Sequence, residues 1–197
     1  MNIQTLLNQA SKTLGNSSNT SSKLDSEILL SKIINKNRQY LILNSNEELK
    51  KENIKSFDYL VKRRKKGEPI AYLINKKEFW KQNFYINQNV LIPRPDTEIL
   101  VEETLKLFNV NSKLNMLDIG TGSGCILLSI LGELNNSRGI GIDISSKAIQ
   151  VAIRNSERFN LINRSKFKVF DINKFDLGKY DLIVSNPPYI PSKDIKN

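Results

Sequence analysis

One stretch limits the fold of this chain more than any other. In LNMLDIGTGSGCILLSILGEL, Leu114 to Leu134, a short apolar strand runs into Gly120, Gly122 and Gly124, and an apolar helix begins at once. That order predicts the first βα turn of a doubly wound parallel sheet. Glycine lets the backbone pass close to a ligand, and the free N–H groups at the helix start suit its negative end. The alternation continues downstream. GIGIDIS ends a second strand at Asp143, about 25 residues after Asp118, where an acidic residue grips ribose hydroxyls in such folds. KFKVFDI ends a third at Asp171. DLIVSNPPYI, Asp181 to Ile190, is the fourth, and Pro187 and Pro188 stop it because proline has no N–H for the ladder.

Open α/β sheets bind ligands beyond the C-terminal strand ends at the topological switch point. Gly120, Thr121, Gly122, Ser123, Gly124, Asp143, Asp171 and Asn186 are therefore expected to converge. The dinucleotide fingerprint needs Gly-x-Gly-x-x-Gly, whereas this loop is Gly-x-Gly-x-Gly with Cys125 in the last position. A dehydrogenase is disfavoured. Cys125 reads as a small packing residue just inside the helix.

The chain before Leu114 follows other periods. Ile3, Leu6, Leu7, Ala10 and Leu14 fall at helical spacing, as do Leu24, Ile28 and Ile33, and then Phe57, Leu60 and Val61, with GNSSNTSS from Gly15 as the first connection. Residues 1–72 are predicted to form a small helical domain. AYLINKKEFWKQNFYINQNVLIP is rich in aromatic and β-branched residues, so residues 73–94 are expected as a β-hairpin linker, with Phe79 and Trp80 in an interdomain core. Residues 95–197 make the Rossmann-like domain. PRPDTEILVEETLKLF opens it with a helix capped by Asp96 or Thr97, whose apolar face is Ile99, Leu100, Leu107 and Phe108.

Composition closes off several chemistries. There is no histidine among 197 residues, so imidazole bases, Ser-His or Cys-His pairs and histidine metal sites are excluded. A single cysteine rules out disulfides and paired-cysteine zinc sites, and no bound metal is expected. The start of the chain resembles neither a signal peptide nor a membrane span, so a cytoplasmic location without membrane partners is expected. The net charge of +10 is compatible with weak nucleic-acid binding, although nothing in the sequence requires it. KRRKK, Lys62 to Lys66, reads first as a solvated helix end and second as a nucleic-acid patch.

LDIGTGSG followed by the Asp143 strand end resembles motif I of class I S-adenosylmethionine-dependent methyltransferases, and Asn-Pro-Pro-Tyr, Asn186 to Tyr189, resembles the signature of the branch that methylates planar nitrogens. That branch includes adenine, guanine and glutamine methyltransferases. RRKKGEPIAYL, EFW, VLIPRPDTEILVE and LDSEILL make the chain similar, over almost its whole length, to the peptide chain release factor glutamine methyltransferases. The resemblance implies S-adenosyl-L-methionine as cofactor, with Gly120 to Gly124 at its methionine part, Asp143 at the ribose, and Asp171 with Ile172 at the adenine. It implies the glutamine of the Gly-Gly-Gln loop of class 1 release factors as substrate, methylated on the side-chain N5. The family usually has glycine at the position of Asn75 and an aromatic residue at that of Ile172. The first change concerns a turn that asparagine tolerates; the second alters packing on the adenine. Arg94 either orders the loop over the cofactor or pairs with a carboxylate.

An amide nitrogen is a poor nucleophile because its lone pair is delocalised into the carbonyl, so a glutamine methyltransferase has to aim it. The Asn186 side-chain oxygen and the Pro187 carbonyl are expected each to accept one amide N–H, with Pro188 turning the chain off the sheet and Tyr189 packed over the flat amide. Asn186, Pro187 and Tyr189 are thus the expected catalytic residues. Two alternatives belong to other classes: an RNA or DNA base N-methyltransferase, and a noncatalytic module that binds a release factor or the ribosome. The resemblance also implies further strands beside the fourth. The sheet is expected to be incomplete at the C-terminus, with DLIVS as an exposed edge, and the isolated chain to be aggregation-prone and weak in turnover.

Overall fold

Helix α1, Ile3–Gly15, buries Ile3, Leu6, Ala10 and Leu14 along one face, as their spacing predicts. The computed structural model describes residues 1–15, 21–174 and 178–187. They divide into two units, Met1–Asn75 and the residues from Lys76 onward.

The first unit continues with α2 (Ser22–Ile34), α3 (Arg38–Leu43), α4 (Lys51–Lys65) and α5 (Ile70–Ile74). Phe57, Leu60 and Val61 of α4 close over α1 and α2 in one core with Leu29, Leu30, Leu41 and Leu73. Helix α2 departs from the expected face. Leu24 is 40% exposed, while Asp25, Ser26 and Glu27 are buried beside Leu29 and Leu30. The acids go inside because cations meet them: Arg64 Nε lies 2.7 Å from Asp25 and Arg38 pairs with Glu27. Arg63 pairs with Glu68. Two residues of KRRKK are therefore structural ion pairs, and the run ends α4, where cations oppose the helix dipole.

The text from Ala71 was expected to be extended, yet Ile70–Ile74 is helical. Pro69 has φ −57° at the N-cap position, and Asn75 stops the helix at φ 54°, ψ 39°. That left-handed cap is one that asparagine, like glycine, tolerates, so the departure from the family pattern at Asn75 is absorbed locally.

In the second unit, β1 (Lys77–Phe79) and β2 (Gln82–Phe84) form an antiparallel hairpin. Phe79 is fully buried within this unit, edge-on to Phe84, which meets Phe159 at 4.8 Å between centroids. Trp80 takes φ 54° in the turn. Its backbone N–H donates to Glu98 and its indole N–H to Glu133, each at 2.9 Å, which holds a conformation costly for an L-residue. Lys81 and then Trp80 hold the Glu133 carboxyl below its ordinary pKa.

A 3₁₀ turn, Pro95–Thr97, leads into α6 (Glu98–Leu107). This helix buries Val101 and Thr104, whereas Ile99 and Leu107, expected on its apolar face, are 59% and 76% exposed. Val101, Thr104, Leu105 and Phe108 share the side that packs inward, a face one step round the helix from Ile99 and Leu107.

The sheet is parallel, in the order β5 (Ser165–Val169), β4 (Arg138–Asp143), β3 (Asn115–Ile119), β6 (Leu182–Ser185), with α7 (Cys125–Glu133) and α8 (Ser146–Arg158) as crossovers. From β3 the chain steps outward twice and then returns to the other side of β3. The switch point therefore lies between β3 and its neighbours, at strand ends that Ile119↔Ile142 and Ile119↔Ser185 bring level. Two glycines of β4 make the close packing possible. A Cβ on Gly139 would stand 2.5 Å from Leu127 Cδ1, and one on Gly141 would stand 2.7 Å from the Phe167 ring and from Thr121 Oγ1. Among the described residues, β6 is an edge of this sheet.

Candidate active site

The glycine loop is fastened from below. Gly120 and Thr121 both donate their N–H to the Ile142 carbonyl at 2.9 Å, and Gly124 N–H closes a turn onto Thr121 C=O at 2.8 Å. Gly120, Gly122 and Gly124 all have φ between 54° and 78°, which explains glycine at each alternate position. Asp143 adds a clamp: one carboxylate oxygen accepts from Gly122 N–H at 3.0 Å, the other from Ser145 N–H at 2.9 Å.

Beneath the loop, Asp118 is 1% exposed and accepts the Thr121 hydroxyl at 2.7 Å. Burial lifts its pKa to about 6, against the lowering pull of that hydroxyl. Burial also pushes the Cys125 thiol up to about 12, so it is no thiolate nucleophile. A second buried polar residue supports the loop from the helix side. Asn155 is fully buried; its Nδ2 donates to Ser123 C=O and Tyr85 C=O at 2.9 Å, and its Oδ1 accepts from Tyr85 N–H at 2.7 Å. One carboxamide thus ties the hairpin to the glycine loop.

Two cavities open at the strand ends. The first, about 420 Å³, is lined by Gly120, Gly122, Asp143, Phe170, Ile172 and Asn186 among others. The second, about 920 Å³, is lined by residues of the PRPDTE segment with Glu103, Ser185, Asn186 and Pro187. Leu91, Ser185, Asn186 and Pro187 line both. Asn186 Nδ2 donates to Thr97 Oγ1 at 3.0 Å. Arg94 lines the larger cavity beside Asp96.

The expected residues are thus partly gathered. Gly120, Gly122, Asp143, Ile172, Asn186 and Pro187 share one cavity wall. Thr121, Ser123 and Gly124 stand behind it as buried supports. Asp171 is exposed and turned to its own 3₁₀ segment, accepting from Asn173 N–H and Nδ2, and it does not line the cavity. Pro188 and Tyr189 lie outside the described residues. Sequence reasoning missed Thr97 as the partner of Asn186, Asn155 beneath the loop, and Phe170, which lines the same cavity as Ile172.

A nucleoside-bearing ligand with a cationic end fits this wall. A Cβ at Gly120 would enter open space, so the backbone is bare there. Asp143 presents a carboxylate at the rim, and Phe170 and Ile172 an apolar slot.

A parallel sheet carrying this loop and this acidic strand end is that of a methyltransferase domain, and residues 110–195 match the family of that description. Residues 5–74 match the PrmC N-terminal domain. The release factor glutamine methyltransferase of Buchnera aphidicola subsp. Baizongia pistaciae is 41% identical over 197 residues, covering 100% of this chain and 70% of that protein. The chain belongs to the release factor glutamine methyltransferase family. The bifunctional methyltransferase of Rickettsia felis is 38% identical over 98% of this chain, which spans 42% of its length. Among solved structures, an RNA methyltransferase from Salinibacter ruber in complex with S-adenosyl-L-homocysteine is similar over 48% of this chain and 60% of that one, at 22% identity and a TM-score of 0.42.

Proposed function

We propose that the chain transfers a methyl group from S-adenosyl-L-methionine to the side-chain N5 of a glutamine, in the Gly-Gly-Gln loop of class 1 peptide chain release factors. The observation that carries this reading is that Asn186 and Pro187 line the shared wall of two adjoining cavities, the smaller floored by the glycine loop. Bound in the smaller cavity, S-adenosyl-L-methionine supplies an electrophilic methyl on a sulfonium. The chain's own residues do the rest. Gly120 and Gly122 offer bare backbone, Asp143 accepts ribose hydroxyls with lone pairs left over from Gly122 and Ser145, and Phe170 with Ile172 packs against the adenine. Asp171 serves that end by capping the turn that carries Ile172.

On the other side of the wall, the Asn186 carboxamide oxygen and the Pro187 carbonyl each accept one N–H of the glutamine amide. Fixing both N–H groups points the nitrogen lone pair out of the amide plane, towards the methyl. Bond formation makes the amide N–H acidic, and that proton passes to water without a protein base. Tyr189 covers the amide in this account, with Pro188 setting its direction. Catalysis rests on orientation.

The helical unit serves as the release-factor recognition domain, and the basic charge adds weak affinity for nucleic acid without a catalytic role. Among the described residues no helix is long and apolar enough to cross a membrane. The test is transfer of labelled methyl from S-adenosyl-L-methionine to a class 1 release factor, to the same factor with the loop glutamine replaced by alanine, and to bulk RNA. Label in the first alone is expected. Label in RNA alone would move the chain to base methylation.

A further inference from the structure

Asn155 lines neither cavity, yet its side chain joins two segments that both lead into the smaller one. Its three partners are backbone groups with fixed roles. Nδ2 can only donate to the Ser123 and Tyr85 carbonyls, and Oδ1 can only accept from the Tyr85 N–H. The carboxamide therefore has one orientation, and in it both of its ends are engaged.

Each partner continues into a piece of cavity wall. Ser123 belongs to the glycine loop, whose Gly120 and Gly122 line the smaller cavity. Tyr85 follows β2, and after the buried Ile86 a turn closes with Val90 N–H on Asn87 C=O at 3.2 Å. That turn delivers Asn89, Val90 and Leu91 to the same cavity. Helix α8, which carries Asn155, is braced on both sides. Ala152 lies so near the loop that a Cβ on Gly124 would stand 3.4 Å from its own. On the hairpin side the Arg154 guanidinium lies 3.7 Å from the Tyr85 ring centroid, and Phe159 meets Phe84. Ala148, two turns before Asn155 on the same face, reaches the cavity itself.

We propose that Asn155 is a positioning residue for the cofactor: by holding Ser123 and Tyr85 together it sets the spacing between the glycine loop and residues 89–91, and through that spacing the affinity for S-adenosyl-L-methionine. The inference rests on the placement of the cofactor in the smaller cavity and is independent of the methyl acceptor. Loss of the carboxamide lets the two pieces of wall part, so the cofactor is held less tightly. Once bound, its methyl is transferred as before, because the Asn186 and Pro187 wall is untouched.

Asn155→Ala removes all three bonds, and Asn155→Asp keeps an acceptor for Tyr85 N–H while offering Ser123 no donor. Both are measured below their unfolding transitions beside Leu131→Ala, a cavity-forming change at a fully buried residue of α7 that lines neither cavity. Calorimetry with S-adenosyl-L-methionine and S-adenosyl-L-homocysteine should give a Kd raised about tenfold, one hydrogen bond's worth, in both Asn155 variants and unchanged in Leu131→Ala. Methyl transfer at saturating cofactor should stay within about twofold of the parent. An unchanged Kd, a Kd raised equally in Leu131→Ala, or a saturated rate that falls in step with affinity would overturn the proposal. Where the Asn155 variants do not fold, the parent decides: the side-chain NH₂ signals of Asn155 in nuclear magnetic resonance should shift when S-adenosyl-L-homocysteine is added, and signals that stay in place would overturn it. If the parent binds neither compound, the placement of the cofactor fails instead, and amide hydrogen exchange still tests the spacing. Gly120, Thr121 and Gly124 N–H should then exchange faster in Asn155→Ala than in Leu131→Ala; equal exchange would count against Asn155.

Discussion

The two sides of the strand-end face are held by different means. On the glycine-loop side, each element is fixed several times over: two N–H groups on Ile142, a carboxylate clamp from Asp143, a buried Asp118–Thr121 pair, and Asn155 underneath. On the Asn186 side, the described residues supply two side-chain hydrogen bonds, Asn186 Nδ2 to Thr97 Oγ1 and Ser185 Oγ to the Ile119 carbonyl. The difference teaches where damage should go. Changes on the first side should cost stability, and changes on the second should cost chemistry while leaving the fold in place.

The largest loss of stability is expected from Asn155→Leu. It strands the N–H and C=O of Tyr85 and the C=O of Ser123, and buried groups left unpaired cost about 1–3 kcal/mol each, so a loss of about 4 kcal/mol follows. Urea denaturation checks this, and an unchanged midpoint would break the contrast at its strongest point.

Asp118 gives a pH-dependent effect nearly as large. Its pKa is about 6 in the fold, above the value near 3.9 of an unfolded aspartate, so between those two values the folded chain binds more protons. Stability on the order of 3 kcal/mol is therefore fully present below pH 4 and lost as the pH rises through 6. Asp118→Asn removes this dependence. The parent should gain on the variant by that amount when melts at pH 7 and pH 4 are compared; a constant gap would mean that Asp118 titrates normally.

Gly141→Ala comes third. A Cβ 2.7 Å from the Phe167 ring and from Thr121 Oγ1 must push one of them, and overpacking of this kind costs about 2 kcal/mol. Thr121 is the member that matters, because moving it unseats the hydroxyl on Asp118. Chemical denaturation of Gly141→Ala alongside Thr121→Val would sharpen the comparison: overlapping, non-additive losses are expected, and strictly additive ones would separate the two sites.

These predictions involve residues of unequal legibility. The doubly wound sheet, the glycine turn and the Asp143 strand end could be read directly because local rules set them: alternating periods, positive φ at glycine, and an acid at a strand end. The buried face of α1 followed from its spacing. Helix α2 did not, since burying Asp25 and Glu27 depends on Arg64 and Arg38, far along the chain. Helix α5 hid behind β-branched and aromatic residues that its caps, Pro69 and Asn75, outweigh. In α6 two faces both fit a helical period, and packing buried the one with Val101 and Thr104 in place of the one with Ile99 and Leu107. Thr97 and Asn155 were invisible for a related reason: each acts through a partner that only the fold brings near, 89 and 32 residues away for Asn186 and Ser123.

The smallest effect on stability belongs to Asn186→Ala, under about 1 kcal/mol for one partly buried hydrogen bond, and this variant also tests the central claim most directly. The measurement is its cofactor affinity by calorimetry set against its rate of methyl transfer to release factor, with Asp143→Ala as the mirror case. Asp143→Ala should weaken S-adenosyl-L-methionine binding by about 1.5–3 kcal/mol through loss of a charged acceptor. In Asn186→Ala, affinity should stay within about twofold of the parent while the rate falls on the order of a hundredfold, because the amide is no longer aimed. A rate that falls only in step with cofactor affinity would contradict the division of the face into a cofactor side and an amide side.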